Sequence, residues 1–237
     1  DQGRAGEAER VGRGLRARMD AGTAYGGLAA GYDRALTLGR LGRSLADQGR
    51  PADAEGELRR ALEVLAGLEP ERDDVRRETG SQYTDLGDVL RDQGRYGAAR
   101  EAYETALEIA QSQDDKRQEA VILGQLGTLV MLQGDYAEAR ARYTDALARF
   151  RALGETPAEA IVWHQLGRVA EEAAGRAEGE QRGALLDEAE HACQEALQLF
   201  EALDDQANAA RSANQLALVA EAAGRPADAR SEEHTSE

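Results

Sequence analysis

Few residues in this chain have the chemistry of a reactive centre. His191 and Cys193 are both good ligands for zinc-like ions, and they stand two apart. On a helix that spacing puts them about 200° apart around the axis, so they share no ligand face. His164 comes 27 residues earlier without a paired ligand. Gly42-Arg43-Ser44 hints at a nucleophile elbow, but Leu45 and Ala46 follow where the closing glycine belongs, and the pattern around them is helical. Lys116 follows two Asp and no glycine loop, so it is not a phosphate-loop lysine. Gly22, Gly26, Gly27 and Gly31 crowd together with no following Lys, which reads as a bent helix entry rather than a phosphate cradle. Carboxylates are abundant, but none is singled out by an apolar setting for acid–base work. The expectation is a chain without catalytic, metal or cofactor-binding residues.

What the sequence does contain is repetition. Leu86–Leu107 reads LGDVLRDQGRYGAAREAYETAL, and versions of it return at Leu41–Leu62 and Leu126–Leu147. The Leu-Gly pairs begin at Leu41, Leu86, Leu126 and Leu166, spaced 45, 40 and 40 residues apart. Number each unit so that this pair fills slots 7 and 8. Slots 4, 7, 8 and 11 then form one stripe of a first helix, and slots 17, 20, 24 and 27 one stripe of a second. Gly94 and its equivalents fall between them, where the chain must turn back. Slots 8, 20 and 27 are Gly or Ala in almost every copy. Small residues there let two helices cross closely, with the large residues of slots 7 and 24 around the crossing. Neither helix can bury its stripe alone, so units must pair internally and stack.

Trp163, Leu166 and Gly167, with Ala99/Tyr103 and Ala139/Tyr143 in the second helices, resemble the signature of the tetratricopeptide repeat family. The resemblance spans nearly the whole chain. The unit is longer than the family's ~34 residues, and the usual Pro after the second helix is missing. The resemblance implies an all-α, right-handed α-solenoid of stacked antiparallel helix pairs.

Residues 1–229 are read as this array: half a repeat from DQGRAGEAER, four full repeats, and a truncated fifth around Leu216-Ala217. Pro51 begins a second helix and Pro70 breaks the chain. Asp114-Asp115 is expected to cap a first helix, as is Thr156 followed by Pro157. Between slots 8 and 20 the fourth unit takes 22 residues, Gly167 to Ala189, where the other complete units take 12. The extra ten lie around 177–187 and read as a longer turn, an added helical turn, or a contact for a partner. Cys193 takes a slot that holds Tyr in two other units, which suggests packing. The closing RSEEHTSE resembles a translated sequencing adapter, so residues 230–237 are expected to lie outside the native fold.

Net charge is −16, with 45 acidic against 29 basic residues, which disfavours nucleic acid as a partner. No apolar run approaches a membrane span, and the one cysteine is compatible with a reducing compartment. One Lys against 28 Arg suggests a GC-rich bacterial genome. A cytoplasmic location is expected.

In the resembled family, ligands lie along a concave face lined by slots 2, 5, 9 and 12 of the first helices. Carried onto this sequence, the resemblance implies partner contacts at Thr84, Asp88 and Arg91; at Thr128 and Met131, with Gly124; at His164, Arg168 and Glu171; and at Asn214 and Glu221, with Leu218. The family's carboxylate-clamp variety repeats Lys, Arg and Asn there. Only Arg168 and Asn214 match, so capture of an acidic C-terminus is not implied. The expected function is a protein-interaction scaffold segment that binds a protein or peptide. The alternative is a regulatory or sensor segment of a larger bacterial protein with an ATPase, protease-like or DNA-binding domain. Self-association through ends without caps, leaving Leu216 and Val219 incompletely covered, is a further expectation.

Overall fold

Three-residue turns of one design set the architecture. In a computed structural model, which describes residues 28–69 and 72–225, the helices are α1 (Leu28–Asp47), α2 (Pro51–Ala66), α3 (Asp73–Asp92), α4 (Tyr96–Ser112), α5 (Lys116–Leu132), α6 (Tyr136–Leu153), α7 (Thr156–Ala174), α8 (Gly179–Ala202) and α9 (Gln206–Ala222). No strand occurs among the described residues. After α3, Gly94 takes φ +72. Its N–H donates to the Arg91 carbonyl (2.8 Å), and the Arg95 N–H to that of Leu90 (2.9 Å). These two bonds close the helix end and return the chain antiparallel. The turns after α1 and α5 repeat the pattern at Gly49 and Gly134.

Between pairs the left-handed residue is Gly154 after α6, and Asp114 or Asp204, with φ 55 and 56, after α4 and α8. This refines the expected caps. The first Asp of each pair ends a helix; the second caps the next, Asp115 accepting from the Gln118 N–H and Asp205 from that of Asn208. Thr156 is not a cap: it is already helical, and Glu155 precedes it without a side-chain cap bond. Pro51 stands at the start of α2, as expected.

The first-helix/second-helix pairs are α1/α2, α3/α4, α5/α6 and α7/α8, with α9 following. By contact the chain divides between Gln125 and Leu126, inside α5, into two compact units. In the first, the slot residues behave as their spacing requires. Leu41, Leu86, Ala54, Ala99, Ala61 and Ala106 are buried, and so are Leu58 and Tyr103 in slot 24. A Cβ placed on Gly42 would meet Leu58 at 2.8 Å, and one on Gly87 the Tyr103 ring at 2.5 Å. Slot 8 is therefore glycine because slot 24 occupies its side-chain space.

The second unit uses the same device. Leu126, Leu166, Ala139, Ala146, Ala189 and Ala196 are buried. Gly127 faces Tyr143 (3.1 Å from a built Cβ) and Gly167 faces Cys193 Sγ (2.8 Å). Cys193 is fully buried, while His191 is exposed and its ring sits against Trp163. The ten extra residues form helix rather than a long loop. α8 runs to 24 residues, against 16, 17 and 18 for α2, α4 and α6. Its added turns rest on the end of α9. Leu186 joins Ala170, Ala174, Ala189 and Val219 in one apolar cluster, Arg182 donates to the Ala222 carbonyl, and Arg225 pairs with Asp187 and Glu190. Val219 is thereby fully buried, contrary to the expectation that it lacks cover. Leu216 is half-buried, and Ala217 and Leu218 are exposed. The half repeat of residues 1–18, the break at Pro70, and Pro226, Ala229 and residues 230–237 lie outside the described residues.

Candidate functional site

The first helices carry the candidate contacts, and hydrogen bonds between successive first helices fix several of them. In the first unit Thr84 is buried, donates to the Gly80 carbonyl and accepts from Gln118 of α5 (3.3 Å). Arg91 donates through Nη1 to Asp88 (2.9 Å), to the Tyr103 hydroxyl (3.3 Å) and to Gln125 of α5 (2.9 Å), and its Nε and Nη2 reach Asp92. Its donors are thus largely committed within the fold. Asp88 also accepts from the Tyr103 hydroxyl at 2.7 Å.

One turn away, Asp85 accepts from Arg43 of α1 at 2.6 Å. These groups line a recess of about 320 Å³ with Ala46, Leu58 and Val89 as its apolar part and Asp47, Asp85, Asp88 and Asp92 against Arg43 and Arg91. Burial pushes the Asp85 carboxyl up to about 6, outweighing the opposing pull of Arg43. Burial also raises Asp88, against the hydrogen bond from Tyr103 and the charge of Arg91. Asp85 and Arg43 were not among the expected contacts.

In the second unit, Thr128 shares a 2.8 Å hydrogen bond with the Tyr143 hydroxyl, and Met131 is buried. Thr84 and Met131 therefore offer little surface to a partner. His164 is half-buried, with Nδ1 3.2 Å from the Oγ of the fully buried Ser212 on α9. Burial lowers its pKa, and the nearby Arg168 and Arg211 guanidiniums push the same way. Glu171 accepts from Gln215 of α9 at 3.2 Å. Arg168, Asn214 and Glu221 are exposed.

A sequence signal for these bonds was present. Gln125, Gln165 and Gln215 all stand directly before the slot 7 Leu. A primary amide can accept or donate. Gln125 accepts from Arg91, and Gln215 donates to Glu171, both in slot 12 of the preceding first helix. For Gln165 that slot is Met131, which offers no comparable partner, and the amide accepts from Arg168 of its own helix instead.

Two family models described as tetratricopeptide repeat match the sequence, one over residues 78–152 and 118–182, the other over residues 34–66, together more than half of the chain. The chain belongs to the tetratricopeptide repeat family. No curated protein matches the sequence. Among solved structures, it is similar to BtubC (BKLC) from P. vanneervenii, at 18% identity and a TM-score of 0.58, over 100% of this chain and 96% of that one. A signal transduction ATPase with numerous domains and a tetratricopeptide repeat sensor, from Pyrococcus horikoshii, is 16% identical with a TM-score of 0.67, over 81% of this chain and 28% of that one. Aspartyl phosphate phosphatase F from Bacillus subtilis is 13% identical with a TM-score of 0.69, over 79% and 45%. At such identities the likeness is one of fold, an all-α tetratricopeptide-repeat-like solenoid. No helix among the described residues is long and apolar enough to cross a membrane.

Proposed function

We propose that this tetratricopeptide repeat chain is a protein-interaction segment, without catalytic activity of its own, that holds a protein or peptide on the exposed faces of its first helices. The observation that carries the reading is the recess between α1 and α3. Four Asp against two Arg line it, around an apolar floor wide enough for a side chain. Arg91 is already held by Asp88, Asp92 and Gln125. Arg43, exposed, is the group that a partner's lysine or arginine would displace from Asp85. A cation there would stabilise the ionised Asp85, which burial otherwise disfavours.

Extended peptides bearing Lys or Arg, titrated against the whole chain, test this. Asp85→Asn should weaken their binding about tenfold, and Arg43→Ala, which removes the competing cation, should strengthen it. Because Asp85 titrates at about 6, affinity should fall as pH drops through that value. Arg43→Ala weakening the binding as much as Asp85→Asn would reject the recess as the seat.

A second reading, a sensor segment of a larger protein, is supported by the likeness to the tetratricopeptide repeat sensor of the ATPase, of which this chain spans 28%. In either reading residues 1–229 form the repeat array and residues 230–237 lie outside it. A longer gene that encodes an ATPase or DNA-binding domain beside these repeats would favour the sensor.

A further inference from the structure

The first-helix surface of α7 and α9 differs in kind from the recess on α1 and α3. Ile161, His164, Arg168 and Glu171 recur at three- and four-residue intervals along α7, and Arg211, Asn214, Leu218 and Glu221 do so along α9. Each set therefore occupies one face. The His164–Ser212 and Glu171–Gln215 bonds hold the two faces side by side. Ile161 and Leu218 are 51% and 57% exposed, a poor place for large aliphatics unless something covers them.

The same faces carry Arg168 and Arg211, both exposed. The His164–Ser212 bond joins the two helices one turn from Arg168 and one residue from Arg211, and both guanidiniums act on the His164 ring. Their hydrogen bonds go to neutral amides, Arg168 to Gln165 Oε1 and Arg211 to Asn208 Oδ1. Among the described residues no carboxylate pairs with either, in a chain that carries 45 acidic residues. Glu171 lies one turn beyond Arg168 and is occupied by Gln215, and Glu221 lies near the end of α9.

We propose that the α7/α9 face is a docking surface for an acidic segment of a partner protein, whose carboxylates pair with Arg168 and Arg211 while its apolar side chains cover Leu218 and Ile161. Charge complementarity selects the occupant: two exposed cations that make no ion pair among the described residues, Asp205 acting on Arg211 only through space, take a partner's Asp or Glu. The flanking aliphatics require that the segment alternate acidic with apolar residues. An exposed guanidinium pair attracts carboxylates wherever they occur along a chain, so the segment need not be a C-terminus. The proposal goes beyond the recess on α1/α3 and stands or falls separately from it.

The test uses the whole chain and a set of C-terminally amidated, extended peptides in which Leu alternates with Asp, Glu, Asn or Lys. The Asp and Glu peptides should bind at least about tenfold more tightly than the Asn peptide, a gap of about 1.4 kcal/mol. Arg168→Ala with Arg211→Ala should remove that preference. Leu218→Ser should weaken the Asp, Glu and Asn peptides alike. Arg77→Ala, which removes an exposed cation from α3, should leave the preference intact. All four positions are exposed, so helicity by circular dichroism should be unchanged. The proposal is overturned by a failure of acidic peptides to outbind the Asn peptide, or by a loss on Arg77→Ala equal to that of the arginine pair.

Discussion

The ring of Tyr103 lies where a side chain on Gly87 would have to go, 2.5 Å from the position of its Cβ. The same relationship at Gly127 and Tyr143 is looser, at 3.1 Å. Gly87→Ala should therefore overpack the α3/α4 crossing and lower stability by about 1–3 kcal/mol. Gly127→Ala should cost less, because its neighbour has only a few tenths of an ångström to give. Urea unfolding of the two variants checks the order; equal losses would show that ring contact does not set the limit.

Tyr103 does a second job through its hydroxyl, which donates to the half-buried Asp88. Tyr103→Phe keeps the ring against Gly87 and removes that bond together with the one the hydroxyl accepts from Arg91. A loss of about 0.5–1.5 kcal/mol is expected, additive with neither Gly87→Ala nor Asp88→Asn because they share the contact. A double-mutant cycle with Asp88→Asn measures the coupling.

Two groups should pull stability in opposite directions with pH. The raised Asp85 favours the proton in the folded chain, so its contribution is present below the unfolded carboxylate value near ~3.9 and is lost as pH rises through about 6. His164 is lowered by burial and two guanidiniums; its contribution is present above the unfolded histidine value near ~6.5 and is lost as pH falls. Asp85→Asn should flatten the first trend, and His164→Gln the second. Unfolding free energies measured from pH 4 to pH 8 for both variants give the answer, and unchanged pH slopes would remove both assignments.

The added turns of α8 should protect α9. Leu186 is 3% exposed and clusters with Val219. Leu186→Ala should cost about 2–5 kcal/mol. The loss should be local: amide exchange should quicken in α9 and the start of α8 before it quickens in α3 or α4. Uniform acceleration throughout the chain would contradict a local role.

The packing inside each helix pair was legible because it is periodic. Leu at slot 7, Gly at slot 8 and Ala at slots 20 and 27 repeat often enough for a stripe to be recognised, and the structure buries the predicted residues. Long-range polar pairs were less legible. Arg43 and Asp85 lie 42 residues apart on different helices, and nothing local marks them as partners among so many charged positions. Thr84 and Met131 were placed on a binding face by slot alone, and burial depends on what the next helix brings against them. The extra residues of the fourth unit were visible as a count. Their fate as helix depended on a surface, the end of α9, that spacing does not display. The Asp114-Asp115 pair was misread in part because one short side chain can serve either as a cap or as a left-handed residue.

The Gln that precedes three of the slot 7 leucines, at 125, 165 and 215, has a bearing on how such a chain can change length by recombination. A cassette cut just ahead of Gln125 and just ahead of Gln165 carries an amide at its front seam and the neutral Met131 in its slot 12. Spliced behind another first helix, the amide finds a partner whether that helix offers an arginine, as Arg91 does, or a glutamate, as Glu171 does. In-frame duplication or loss of one helix pair therefore leaves no mismatched charge at the join. The fourth pair is exempt from this freedom. Its lengthened α8 is fitted to Ala222, Val219 and Arg225, so the stretch from α7 to the turn after α9 can be copied or deleted only as a block.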